Sequence, residues 1–370
     1  MLIQNYKRYG VTFVRGEGSY LFDDNGKKYL DMSSGIGVNS IGYAHPKWVA
    51  AVSGQAGKLA HISNLFHSQP AEELAERIAG LSEMDGVFFG NSGAEANEAL
   101  IKLARKYSYD KYGRGRDKIA TLKNSFHGRT ITTLAATGQD KFHDYFFPFT
   151  EGFYHIDAEG EVVLEDGTAA VLIEVVQGEG GICPLEEKFL KDMQAVCKEK
   201  DILFMIDEVQ TGFGRTGEWF AYQHYGLEPD AISFAKGVGG GLPIGGIAVK
   251  GELAGVFTHG THGTTFGGNP IACAAAMATI DVIEGILGEV SEKGEALQEV
   301  HRRKFGNSRG MGLMLGCTVG EGLDELVEKL LAAGVVPLVA GNGTLRLLPP
   351  LTITMGEIEE YGEILDRVIK

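Results

Sequence analysis

Between residues 86 and 250, short apolar runs alternate with segments of helical periodicity, and this alternation constrains the fold more than any other feature of the chain. GVFFG, KIATLK, AAVLIEVVQ, DILFMIDEV, DAISFA and GGIAVK read as strands, while AEANEALIKLARKYS and EEKFLKDMQAVCKEK read as helices. Strands that lack a polar alternation are buried on both faces. The pattern therefore predicts an α/β fold with a mostly parallel sheet covered by helices on either side. Upstream, AEELAERIAGLS places Leu74, Ile78 and Leu81 on one helical face. SYLFDDNGKKYLDM reads as a hairpin with a tight two-residue turn at Asn25-Gly26. A long alanine-rich helix is expected after Asn269-Pro270, followed by shorter strands and helices. A chain of 370 residues exceeds one small core. The expected division is 1–55 packing with a small domain, 56–268 as the large domain and 269–370 as the small one.

Charge and cysteine usage narrow the function classes. Lys plus Arg number 34 against 49 Asp plus Glu, a net charge of −15, and no dense basic run occurs, which argues against nucleic acid as a partner. The 4 cysteines are widely spaced and form no CxxC, so neither a metal knuckle nor a disulfide framework is expected, and a reducing cytoplasm fits. MLIQNYKRYG has no apolar core of a secretory signal, and the apolar stretch near IACAAAMATI is too short to span a bilayer. No membrane association is expected.

Two of the runs end in groups of opposite charge. LFMIDEVQ ends in Asp207 and DAISFAKG in Lys236, roughly 30 residues apart, the length of one strand–crossover–strand unit. Ligands of parallel sheets collect where the carboxyl ends of strands emerge. A carboxylate and an amine on one rim would suit a protonated pyridine ring and an imine with its aldehyde, the pair that pyridoxal phosphate requires. The same pair would equally serve as a structural ion pair.

Other segments read in two ways. In GVFFGNSGAEANEALIKLA the amides of Ser92, Gly93 and Ala94 would lie at a helix N-terminus, where a phosphate is favoured; an ordinary capped helix reads the same. SFHGRT puts Phe126 and Arg129 after a strand, as a ring to stack on a planar group and a clamp for a carboxylate, or as a core aromatic and a surface charge. GFGRTG, Gly212 to Gly217, matches G-x-G-x-x-G, the mark of a nucleotide-binding dehydrogenase. Against that, four residues separate it from the strand's terminal Asp207, and the next strand leads to Lys236 rather than a ribose-binding acid. His45, His127, His143 and His262 show no paired-ligand spacing, so no metal is expected, and they read as local hydrogen-bonding or surface residues.

Together these segments resemble the class III, or ω-amino, pyridoxal-phosphate aminotransferases, particularly those acting on acetylornithine. The similarity covers nearly the whole chain and is most specific in IDEVQTGFGRTG, AKGVGGG and PIGG. It also runs through YLDMSSGIGVNSIGYAHP, FFGNSGAEANEALIKLAR, NSFHGRTITTLAATGQ, VVQGEGGICP and GTHGTTFGGNP. The resemblance implies fold type I, with a mostly parallel seven-stranded sheet and a smaller α+β domain, and makes GFGRTG a structural loop. It implies Lys236 as the lysine bound to the cofactor, Asp207 as partner of the pyridine nitrogen, Gln210 on the phenolic oxygen and Phe126 on the ring. Ser92, Gly93 and Ala94 would hold the phosphate. Thr265 would reach the phosphate of the other subunit of a homodimer with shared active sites. Arg129 would clamp the distal carboxylate of the substrate, Arg346 its α-carboxylate, and Glu179 would gate Arg346. Val175 stands where the family usually has proline, and Tyr43 where it often has histidine.

The implied reaction moves the δ-amino group of N-acetylornithine to 2-oxoglutarate, in arginine biosynthesis. The same chemistry on succinylornithine, N-succinyl-diaminopimelate, ornithine or 4-aminobutyrate stays open at this point, as does a dehydrogenase built on GFGRTG.

Overall fold

The computed structural model describes residues 1–369. Three strands, β1 (Phe13–Glu17), β2 (Tyr20–Asp23) and β3 (Lys28–Asp31), open the chain. A single kinked turn α1 (Ser34–Gly37) and the helices α2 (Pro46–Ala56) and α3 (Gln69–Ser82) follow. The β2–β3 turn departs from the two-residue form. It spans Asp24 to Lys27, and only Gly26, at φ 81°, takes the left-handed backbone. Asp23 Oδ1 accepts from the Asn25 and Lys27 amides at 3.0 and 2.8 Å, so a side chain shapes this turn.

Next come β4 (Gly86–Gly90), α4 (Gly93–Tyr112), β5 (Lys118–Leu122), α5 (Ile131–Ala136), β6 (Phe153–Ile156) and β7 (Thr168–Ile173). The short pair β8 (Val176–Gln177) and β9 (Cys183–Pro184), helix α6 (Glu187–Glu199), then β10 (Leu203–Asp207), β11 (Ala231–Phe234) and β12 (Gly245–Val249) complete this part. Seven of these strands form one sheet in the order β4-β12-β11-β10-β7-β5-β6. β12 runs antiparallel to both its neighbours, and the pairs from β11 to β6 are parallel. β7, β10, β11 and β12 are buried at every position, as unalternating apolar runs require. The run AAVLIEVVQ is not one strand: β7 stops at Ile173, and Glu174 and Val175 interrupt it before β8.

The remainder contains α7 (Pro270–Glu284), α8 (Val290–Phe305), β13 (Arg309–Met311), β14 (Met314–Thr318) and α9 (Leu323–Ala332). It closes with β15 (Val335–Val336), β16 (Leu338–Ala340), β17 (Thr344–Leu347) and α10 (Met355–Val368). β13, β14, β17 and β16 form a second sheet, and α8 packs on α10 and β14. α7 packs against α2, α3 and the turn Lys236–Gly239.

The N-terminal segment touches both halves. β3 pairs in parallel with β15, and Ser34 Oγ donates to Leu348 O at 2.6 Å. On the other side Ser40 Oγ donates to Gly237 O at 2.5 Å and Trp48 Nε1 to Gly239 O at 3.1 Å. This segment thus fastens the turn that carries Lys236 to the C-terminal part of the chain. Tyr43 donates to the buried Asp31 at 2.6 Å and packs on Gly16, where a Cβ would come within 2.4 Å of its ring. Among the described residues no single helix is long and apolar enough to cross a membrane.

Candidate active site

The carboxyl ends of β10 and β11 open into a cavity of about 490 Å³. Asp207 is the last residue of β10 and pairs in register with Ser233 of β11. Lys236 follows two residues after β11, in a 3-10 turn, at φ 47°. A lysine in the left-handed region is strained, and such strain persists only where surrounding structure enforces it. Both side chains line the cavity, yet among the described residues no carboxylate forms an ion pair with Lys236. The structural ion pair is therefore excluded, and the amine stands free. Burial lowers its pKa below the ordinary lysine range; Glu179 and Asp207 pull the other way.

Asp207 is held from three sides. Its Oδ2 accepts from Asn97 Nδ2 at 2.7 Å and lies 2.8 Å from His127 Nδ1, while Oδ1 accepts from the Val209 amide at 3.0 Å. A carboxylate offers about four acceptor positions, so one is left for a donor in the cavity. No motif in the sequence marks Asn97 or His127 as a partner of Asp207. His127 is fully buried and hydrogen-bonded to Asp207, so of its two readings, hydrogen-bonding or surface, the surface one is overturned. Its place next to Phe126 in SFHGRT was the available signal.

The opposite wall is the start of α4. Ser92 caps it, its Oγ accepting from the Glu95 amide at 3.2 Å, so this side chain serves the helix. Gly93 and Ala94 line the cavity at the first turn, where helix amides lack intrahelical partners and anions are favoured. A Cβ at Gly93 would fall 2.6 Å from Val209 Cγ1, so only glycine lets the helix start approach the end of β10 this closely. Phe126 also lines the cavity and meets Phe142 edge-on, with ring centroids 5.8 Å apart. The Arg129 guanidinium at the rim lies 4.2 Å from the Phe142 ring centre, a platform that the sequence did not announce.

Arg346, on β17, has a side chain only 2% exposed, and its Nη1 donates to Glu179 Oε1 at 2.6 Å. The same nitrogen lies 3.3 Å from Gln210 Oε1, and Gln210 lines the cavity. Glu179 is the more exposed half of this pair, with a side chain 27% exposed. Glu174, which interrupts the β7 run, is buried at the cavity, and burial pushes its carboxyl up to about 7 against the pull of His127. Thr265 is exposed and lies outside this cavity, on a separate surface depression of about 920 Å³ with Ser63, Asn64 and Thr264. GFGRTG is a packed loop: Arg215 is buried and donates to Leu313 O at 3.1 Å and Pro349 O at 2.5 Å. No nucleotide cradle forms there.

The residues present fit pyridoxal phosphate: a free amine for its aldehyde, an anchored carboxylate with a spare lone pair, a ring at the wall and open amides at a helix start. The profile of the aminotransferase class-III family matches residues 3–369, and the chain belongs to that family of pyridoxal-phosphate transaminases. An acetylornithine aminotransferase of Haemophilus ducreyi is 46% identical over 380 residues, covering 100% of this chain and 96% of the relative. One of Aquifex aeolicus is 47% identical over 378 residues, covering 100% and 99%. The crystal structure of an ornithine aminotransferase from Toxoplasma gondii superposes with a TM-score of 0.95 at 31% identity, covering 100% of this chain and 92% of that one.

Proposed function

We propose that this transaminase moves the δ-amino group of N-acetylornithine to 2-oxoglutarate, giving N-acetylglutamate 5-semialdehyde and glutamate, and that it does so in the cytoplasm. The observation that carries the chemistry is the unpaired Lys236 amine, held at φ 47° on the same cavity as the anchored Asp207. Two full-length relatives named for acetylornithine support the donor.

Pyridoxal phosphate, when bound, supplies an aldehyde that condenses with amines and a ring that accepts electrons. Lys236 would hold that group and act as the base that takes a proton from the donor's δ-carbon. Its lowered pKa enlarges the unprotonated fraction able to do so. Asp207, oriented by Asn97 and His127, would hold a positive charge on the ring nitrogen. Gln210 would hold the phenolic oxygen, Phe126 would cover the ring, and the Gly93 and Ala94 amides would hold the phosphate. Arg129 would clamp the distal carboxylate of the substrate.

Arg346 and Glu179 answer the need to handle two unlike substrates. The donor's reacting carbon bears no carboxylate, and the ion pair at 2.6 Å presents it with a neutralised arginine. The reacting carbon of 2-oxoglutarate does bear one, and Arg346 released from Glu179 would bind it. Glu179→Ala should therefore raise kcat/KM for glutamate relative to N-acetylornithine roughly 10- to 100-fold, the worth of a charged hydrogen bond. An unchanged ratio would contradict the gate.

Thr265 lies off its own chain's cavity, which suits a role at the phosphate of a second copy in a homodimer with shared sites. A panel of N-acetylornithine, N-succinylornithine, N-succinyl-diaminopimelate, ornithine and 4-aminobutyrate with 2-oxoglutarate tests the donor. The acetyl compound should lead by about tenfold or more in kcat/KM. Equal turnover of free ornithine or 4-aminobutyrate would overturn the assignment.

A further inference from the structure

Glu174 is a buried carboxylate that no step above uses. It stands between β7 and β8, 6% exposed, with one oxygen on each of two backbone segments. Oε1 accepts from the Phe126 amide at 2.8 Å, and Oε2 from the Gly178 amide at 3.0 Å. Phe126 belongs to the segment at the ring wall. Gly178 opens the tight turn that carries Glu179, and its carbonyl accepts from the Gly181 and Ile182 amides, both at 3.4 Å. A second bond runs along the same seam, from Gln177 Nε2 to Lys123 O at 2.8 Å. Gly178 also packs on Gln210, where a Cβ would fall 2.5 Å from Nε2.

We propose that Glu174 is a positioning residue which, by holding the Phe126 and Gly178 amides on its two oxygens, sets the gate turn at a fixed offset from the ring wall and so tunes the choice between the two substrates. The proposal rests on the gate reading of Glu179 and Arg346. The chemistry asks for the ionised carboxylate, the form that His127 and the two amides favour against burial. Two diverging amide donors need two acceptor oxygens on one planar group, and glutamine offers one oxygen and one NH2. Glu174→Gln keeps the shape and leaves one buried amide facing a donor, which frees one of the two segments. A loosened gate turn weakens the hold of Glu179 on Arg346, so the effect has the sign of Glu179→Ala.

Two measurements on the holoenzyme test this. In the first, hydrogen exchange of Glu174→Gln should speed up about tenfold or more at Phe126 or Gly178, with the strands β10 and β11 unchanged. Unchanged exchange at both amides overturns the link. In wild-type holoenzyme both amides should be protected, and fast exchange at either overturns it without any variant. In the second, the half-reactions with N-acetylornithine and with glutamate are followed separately. Glu174→Gln should raise the glutamate-to-donor ratio of kcat/KM about tenfold. Added to Glu179→Ala, it should move that ratio no further. Equal slowing of both half-reactions, or an additive effect in the double variant, would make Glu174 a structural residue only. If Glu179→Ala alone leaves the ratio unmoved, the gate reading fails and the specificity role of Glu174 fails with it, while the exchange rates still report the link.

Discussion

Lys236→Ala should lower turnover by at least roughly a thousandfold, because it would remove both the amine proposed to hold the cofactor and the proposed base for the proton transfer. The steady-state rate with N-acetylornithine and 2-oxoglutarate measures this, and the absorption of the bound cofactor should change with it. The size of the effect follows from the geometry. Among the described residues no other lysine lines the cavity and no carboxylate pairs with this amine, which sits on a turn fastened by the bond from Ser40 to Gly237. A variant retaining activity within tenfold of the parent would contradict the role.

Asp207→Ala should be nearly as damaging. It strands Asn97, the Val209 amide and His127 around a buried gap, and breaking a buried pair costs about 3–5 kcal/mol. A loss of this size in the interaction with a protonated ring nitrogen corresponds to roughly 10²- to 10⁴-fold in kcat. Rapid-mixing measurement of the donor half-reaction would read it, and Asp207→Glu should recover part of it. Thermal melting separates the chemical loss from unfolding. A normal half-reaction rate in Asp207→Ala would remove the carboxylate from the mechanism.

Much of the fold was legible because its central strands are buried on both faces and carry unalternating apolar runs; β10 and β11 are the clear cases. β6 escaped the reading because FYHI is a half-buried edge strand with a polar residue inside it. The reversed direction of β12 depends on how a chain turns in space, which no local pattern records. The β2–β3 turn was misjudged because Asp23, not Asn25, holds it.

At the site, Asp207 and Lys236 were visible as charges closing apolar runs. The partners of Asp207 were not, since Asn97 on α4 and His127 in the loop between β5 and α5 lie far from it in sequence. Glu174 carried a signal of its own, a single charge inside AAVLIEVVQ, and the break of the strand at that residue explains it. Arg346 is the parallel case, a guanidinium inside a fully buried strand, where only a partner such as Glu179 makes the position tolerable. The left-handed backbone of Lys236 had no sequence signal at all.

The nitrogen of Lys236 is expected to carry the cofactor. Borohydride reduction of the holoenzyme, followed by proteolysis and mass spectrometry, tests it most directly. The phosphopyridoxyl mass should appear on the peptide containing Lys236 and on no other; the mass on a different lysine, or on none, would rule this linkage out.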